Sequence, residues 1–62
     1  MINPDSKIDV ANAMKKYGGS FVRALGEALL IADSKNAQLI HDTWPEYWVR
    51  YSAFAETERR KS

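Results

Sequence analysis

The sequence predicts a small all-α domain, a bundle of four short helices in which the second helix is central. Apolar residues recur at spacings of three and four, which is typical of amphipathic helices. Glycine and proline fall between these periodic segments. The longest apolar run, within residues 20–33, is shorter than the roughly 20 residues of a membrane span. We therefore treat 1–62 as a single helical domain and expect 1–4 and 58–62 to be flexible.

Composition limits the classes of protein to which this chain can belong. With 62 residues, no cysteine and one histidine, it lacks the residues for disulfides or for a Cys- or His-based metal site, so no cofactor is expected. The net charge of +1 gives no strong attraction to nucleic acid or to a membrane surface. The absence of cysteine and of an apolar leader fits a cytoplasmic protein. Because so short a chain has a small core, we expect a homo-oligomer.

The first helix is expected over about residues 5–17. Asp5 or Ser6 can cap its start. Gly18 and Gly19 end it, and one of them is expected in the left-handed conformation. Its apolar face comprises Ile8, Val10, Ala11, Met14 and Tyr17.

The second helix, over about residues 20–33, is expected to be buried on nearly all sides because apolar residues cover most of its circumference. Ser20 is the expected N-cap. Within the apolar run the charged residues are Arg23 and Glu27, which lie four positions apart and can pair. A close backbone contact would explain Gly26, which is unfavourable in a helix interior. A row of small residues would let a neighbouring helix approach closely, namely Ala24, Ala28 and Ala32.

Asp33 is the expected cap of the third helix, with Ser34 as the competing cap, so the second and third helices should meet at a tight corner. The third helix covers about residues 34–43. Pro45 disfavours helix at the preceding residue and suits the start of a fourth helix over 45–57. Aromatic and apolar residues recur along this last segment at helical spacing, namely Trp44, Tyr47, Trp48, Tyr51, Phe54 and Ala55.

Several short segments carry a family resemblance. They are Tyr17-Gly18-Gly19-Ser20-Phe21, Ala24-Leu25-Gly26-Glu27-Ala28, Ala32-Asp33, Asn36, and Trp44-Pro45-Glu46-Tyr47-Trp48 with Tyr51. Across roughly residues 8–52, the chain resembles a group of small uncharacterised helical proteins from phages and prophages. That group has no established activity, so the resemblance implies no catalytic or binding residues. It implies an origin in a mobile element, where very small proteins often bind a host or phage protein.

The aromatic row of the fourth helix is the strongest candidate site. Tryptophan and tyrosine are over-represented among interface hot spots, so part of the row is expected to bind a partner or a second copy. The alternative is that the row only closes the core, as aromatic residues at helical spacing usually do. The expected partner-binding residues are Tyr47, Trp48, Tyr51, Phe54, Leu30 and Ile31.

The alternative function is a small nucleic-acid-binding regulatory protein that uses basic helix ends, namely Lys15, Lys16, Arg23, Arg50, Arg59 and Arg60. A helix-turn-helix over 10–29 fits poorly, because it offers only Arg23 as a basic reader of bases. Catalysis is not expected, because His41 and Asp42 point about 100° apart on a helix and should not form an orienting pair. The sequence therefore favours a non-enzymatic protein-interaction module that self-associates and binds a host or phage protein.

Overall fold

The computed structural model describes the backbone of residues 4–61, and within that range it consists of four α-helices without a strand. The helices are α1 (Pro4–Tyr17), α2 (Ser20–Ile31), α3 (Ser34–Thr43) and α4 (Pro45–Lys61). The predicted all-α fold of four short helices is confirmed. α2 ends two residues earlier than expected, and α4 extends four residues further. The flexibility expected of residues 1–3 and 62 concerns positions outside the described range.

The most deeply buried helix is α1, so the placing of α2 at the centre of the bundle needs correcting. α1 packs against both α2 and α4. Four of its side chains are 0–5% exposed, namely Val10, Ala11, Ala13 and Met14.

The prediction that α2 is buried on nearly all sides is wrong. It buries one face, formed by Val22, Leu25, Gly26 and Leu29. Phe21, at the edge of this face, is 56% exposed, and Ile31, on the opposite side, is 88% exposed. The physical reason is that α2 packs mainly on α1 and has only a small contact with α3. The apolar circumference of α2 is therefore not covered by neighbouring helices on every side.

α1 and α2 cross closely at Gly26. A Cβ atom at Gly26 would lie 2.8 Å from the carbonyl oxygen of Ala11 and 2.9 Å from the Cβ of Met14. These distances are shorter than real Cβ contacts, so the crossing requires a residue without a side chain. The predicted close contact at Gly26 is confirmed, and its partner is α1.

The connection between α1 and α2 differs from expectation. None of the glycines in the described range has a positive φ, so the predicted left-handed residue is wrong. Instead the Gly18 N–H continues the helical pattern and donates to the Met14 carbonyl at 2.9 Å. Gly19, without a side-chain cap, is the N-cap of α2, and Ser20 is already the first helical residue. The expected role of Ser20 as N-cap is therefore wrong.

The tight corner between α2 and α3 is confirmed. Asp33 is the N-cap of α3, and its carboxylate accepts a hydrogen bond of 2.8 Å from the Asn36 N–H. The C-terminus of α2 is stabilised from α1, because Lys7 Nζ donates to the Ala32 carbonyl at 2.7 Å. A cation is favourable at a helix C-terminus. This contact leaves Lys7 half-buried.

Candidate protein-binding surface

Aromatic rings from α1, α2, α4 and the C-cap of α3 form one connected row. The ring of Tyr17 in α1 stacks on Phe54, with centroids 4.9 Å apart, and Phe54 contacts Tyr51 at 5.5 Å. The row continues through Tyr47 to Phe21 in α2 and ends at Trp44, the C-cap of α3, with centroids 5.9–6.5 Å apart. All these spacings lie in the range of favourable aromatic pairs. We call the row the aromatic surface; its members are Tyr17, Phe54, Tyr51, Tyr47, Phe21 and Trp44.

The aromatic surface has a buried floor and exposed edges. Tyr51 is 6% exposed and belongs to the hydrophobic core. In contrast, Tyr17, Phe54 and Phe21 are 44%, 40% and 56% exposed. The row is therefore anchored in the core at its middle and open to solvent towards both ends.

The structure divides the residues that the sequence assigned to partner binding. Tyr47 and Phe54 lie on the aromatic surface, whereas Tyr51 supports it from beneath and is too buried to be a contact residue. Trp48 lies apart from the row, packed against the core and edge-on to His41 with centroids 5.0 Å apart. The remaining two candidates from α2 also differ: Leu30 packs against the core, and Ile31 is exposed.

Sequence reasoning missed two members of the aromatic surface, since it placed Tyr17 and Phe21 on the buried faces of α1 and α2. Trp44 belonged to the candidate aromatic row but not to the expected partner-binding residues. Tyr17 and Phe21 lie four positions apart, on either side of the helix break at Gly18 and Gly19. That proximity is the one sequence signal that could have grouped them, but their contacts with α4 depend on how the helices pack.

A carboxylate fixes one end of the aromatic surface. Glu58 in α4 accepts a hydrogen bond from the hydroxyl of Tyr17 and lies 2.6 Å from Lys16 Nζ. These hydrogen bonds to Glu58 raise the pKa of Lys16 and the pKa of Tyr17. The C-terminal ends of α1 and α4 are thereby held together beside the stacked rings.

The same three side chains contribute to an open groove of about 380 Å³ between α1 and α4. Its lining is completed by Asp9, Asn12, Ala13 and Ala55. Lys16 and Glu58, which are paired with each other, form a charged margin of this groove beside the aromatic surface.

His41 and Asp42 contact each other, contrary to the sequence-based expectation. Asp42 Oδ1 lies 3.1 Å from His41 Nδ1 and accepts a hydrogen bond of 2.9 Å from Gln38 Nε2. Contact with the neighbouring residue is reached because the carboxylate turns back along α3 towards Gln38, one turn earlier. The hydrogen bonds from His41 and Gln38 lower the pKa of Asp42. Since the His41 ring also packs on Trp48, this cluster links α3 to α4.

The basic residues of the alternative function do not form one uninterrupted patch. Lys16 is held by Glu58, and Arg60 pairs with Glu56 at 3.1 Å. The side chain of Arg59 lies outside the described residues. The other three basic candidates are exposed on three different helices, namely Lys15, Arg23 and Arg50.

Within the described residues, no group of three or more His, Cys, Asp or Glu side chains could hold a metal ion. The described helices also include none with the length and hydrophobicity needed to cross a membrane. Comparison with protein-family models, with curated proteins and with solved structures gives no match. What the chain binds must therefore be inferred from its own surface.

Proposed function

We propose that this chain is a non-enzymatic protein-binding module of phage or other mobile-element origin, which self-associates and binds a host or phage protein in the cytoplasm. The observation that carries the proposal is the aromatic surface, whose rings at Tyr17, Phe21 and Phe54 are 40–56% exposed. Leaving apolar area in water costs about 25 cal/mol per Å². A partner that covers these rings recovers that free energy.

The surface is also held in a fixed shape, which favours binding. Tyr51 supports it from the core, and Glu58 fixes the hydroxyl of Tyr17. Side chains that are already ordered lose little conformational entropy when a partner binds. Interface hot spots are enriched in tryptophan and tyrosine, and the aromatic surface contains both residue types.

The origin in a mobile element is supported by the resemblance of residues 8–52 to small phage and prophage proteins. Nucleic-acid binding has less support, because Lys16 and Arg60 already pair with carboxylates. A phosphate backbone would have to compete with those carboxylates for the same cations.

Photo-crosslinking in the native cell tests the proposal. A photoreactive phenylalanine analogue replaces Phe54 in one protein and Val49 in a second. Val49 is 71% exposed and lies about 140° away from Phe54 around α4, so it is a matched control on another face. We expect a discrete crosslinked partner from position 54 and none from position 49.

Purified variants then measure the contribution of the surface to binding. Phe54→Ser should weaken binding of the captured partner by about 30-fold or more, since hot-spot residues contribute at least about 2 kcal/mol. Val49→Ser should leave binding unchanged, and circular dichroism should show equal helicity for both. Equal crosslinking from both positions, or equal binding by both variants, would show that the aromatic surface is not the binding site.

A further inference from the structure

The exposed side of α2 carries a regular apolar stripe. Its members follow each other at spacings of three, four and three positions and lie within an arc of about 80°, on the side away from α1. All four are exposed, Phe21 by 56% and Ile31 by 88%. This spacing is that of the contact positions of a coiled coil. We call the stripe the α2 seam; it comprises Phe21, Ala24, Ala28 and Ile31.

We propose that a second copy of this chain packs on the α2 seam, with the two α2 helices antiparallel about a two-fold axis. The seam reads large, small, small, large from either end, so it is complementary to its own reversed copy. Phe21 of one chain then meets Ile31 of the other, and Ala24 meets Ala28. The alanines allow the helix axes to approach to about 8 Å, and the larger residues fill the two ends.

Charge complementarity favours a second copy of the chain as the partner on the α2 seam and favours the antiparallel orientation of the two helices. Arg23 and Glu27 are exposed on one flank of the seam, and neither has an ion-pair partner within the described part of the chain. In the antiparallel pair, Arg23 of each chain lies on the same flank as Glu27 of the other, offset by about 3 Å along the axis. Both ion pairs form at once by symmetry. In a parallel two-fold pair the flanks carrying Arg23 and Glu27 would instead lie on opposite sides of the interface, so these ion pairs would not form.

The size of the seam sets the expected strength of the dimer. Its four residues span about 15 Å of helix, so the interface belongs to the small, transient class. We therefore expect reversible dimerisation in the micromolar range. This inference rests on the self-association included in the proposed function, and not on the binding of a host or phage protein.

Sedimentation equilibrium of charge-reversal variants tests the pairing. Arg23→Glu places two acidic residues opposite each other in the dimer, and Glu27→Arg places two basic residues opposite each other. Each variant alone should dimerise about 10-fold more weakly, because two exposed ion pairs become repulsive. An equimolar mixture of the two variants should recover dimerisation, since both contacts across the mixed dimer are again attractive. The double variant should recover it as well.

The chain offers matched controls on α4. Glu46 and Arg50 are also exposed and four positions apart, so Glu46→Arg and Arg50→Glu should leave the dimer unchanged. For the steric contact, Ala28→Lys should abolish the dimer, whereas Ala53→Lys at an exposed alanine of α4 should not. Circular dichroism of each variant verifies that the helices remain formed.

A 7.1 kDa monomer at every concentration up to about a millimolar would overturn the inference. So would a mixture of Arg23→Glu and Glu27→Arg that dimerises no better than either variant alone. Partner binding by the aromatic surface and dimerisation through the α2 seam can be tested separately. Phe54→Ser should reduce capture of the cellular partner and preserve the dimer. A dimer that binds no cellular protein would refute the proposed partner binding and support the α2 seam.

Discussion

The close crossing of α1 and α2 depends on the absence of a side chain at Gly26. A Cβ at this position would press on the Ala11 carbonyl at 2.8 Å, and that backbone atom cannot move independently of α1. Gly26→Ala gains about 1 kcal/mol of helix propensity but adds about 2–3 kcal/mol of overpacking. We expect the free energy of unfolding to fall by about 1–2 kcal/mol, as measured by urea denaturation.

Gly19→Ser is the matched control for this prediction. A Cβ at Gly19 would meet nothing within 4 Å, and serine is favourable at the N-cap that Gly19 occupies. Stability should stay constant or rise by a few tenths of a kcal/mol. If Gly26→Ala is as stable as the wild type, the close crossing of α1 and α2 is wrong.

The carboxyl group of Asp42 provides a second test at single-residue scale. Hydrogen bonds from His41 and Gln38 hold its pKa below the ordinary value of 3.8. The contribution of these bonds to stability is therefore present above that value and is lost as pH falls through the folded pKa. Replacing His41 by Ala should raise the pKa of Asp42, measured by carboxyl NMR titration. Replacing Lys35, an exposed residue of the same helix, by Ala should leave that pKa closer to its wild-type value.

The start of α3 depends on one capping side chain. Asp33→Ala removes the acceptor for the Asn36 N–H and should lower the free energy of unfolding by about 1 kcal/mol. Ser34→Ala alters the competing cap suggested by the sequence and should cost clearly less. Thermal unfolding followed by circular dichroism compares the two variants. A larger loss of stability for Ser34→Ala than for Asp33→Ala would show that Ser34 is the N-cap of α3.

At the scale of helices, local chemistry was a good guide to where elements begin and end. Pro45 predicted the start of α4, and Asp33 predicted the cap of α3, because both effects act within a single turn. The cap of α2 was misassigned because Gly19 and Ser20 are both acceptable N-caps, and the choice follows from how α1 ends. Here Gly18 continues the hydrogen bonding of α1, which leaves Gly19 to begin α2.

Burial around each helix was the least predictable feature of the fold. Hydrophobic periodicity shows which residues are apolar but does not show how many neighbours a helix has. α2 has the more apolar sequence, yet α1 is deeper because small residues such as Ala11 and Ala13 let two helices approach it. The aromatic surface depends on the same packing, so the sequence indicated Tyr47 and Phe54 but not their contacts with α1 and α2.

For the molecule as a whole, Glu58 joins the end of α4 to the end of α1. The pKa values of Lys16 and Tyr17 are raised by this carboxylate above the ordinary values of 10.5 and 10.0. The stabilisation is therefore present at neutral pH and is lost as pH rises through the folded-state pKa values. We expect the difference in stability between wild type and Glu58→Gln to shrink in strongly alkaline solution.

Urea denaturation at neutral and alkaline pH measures that difference. Glu56→Gln is the control, because it removes a carboxylate of α4 that pairs with Arg60 instead. The contribution of Glu58 would be disproved if the Glu58→Gln and Glu56→Gln proteins showed the same pH profile.

The position of α1 between α2 and α4 also bears on how the protein is made. α1 is synthesised before α4, which covers one of its sides. At about 5–20 residues per second, roughly 2–8 s separate the end of α1 from the arrival of Glu58. During that interval Met14 and its neighbours are without their full cover. The packing around α1 is therefore completed only once α4 has been synthesised, and nascent chains should be vulnerable to chaperone capture and proteolysis until then.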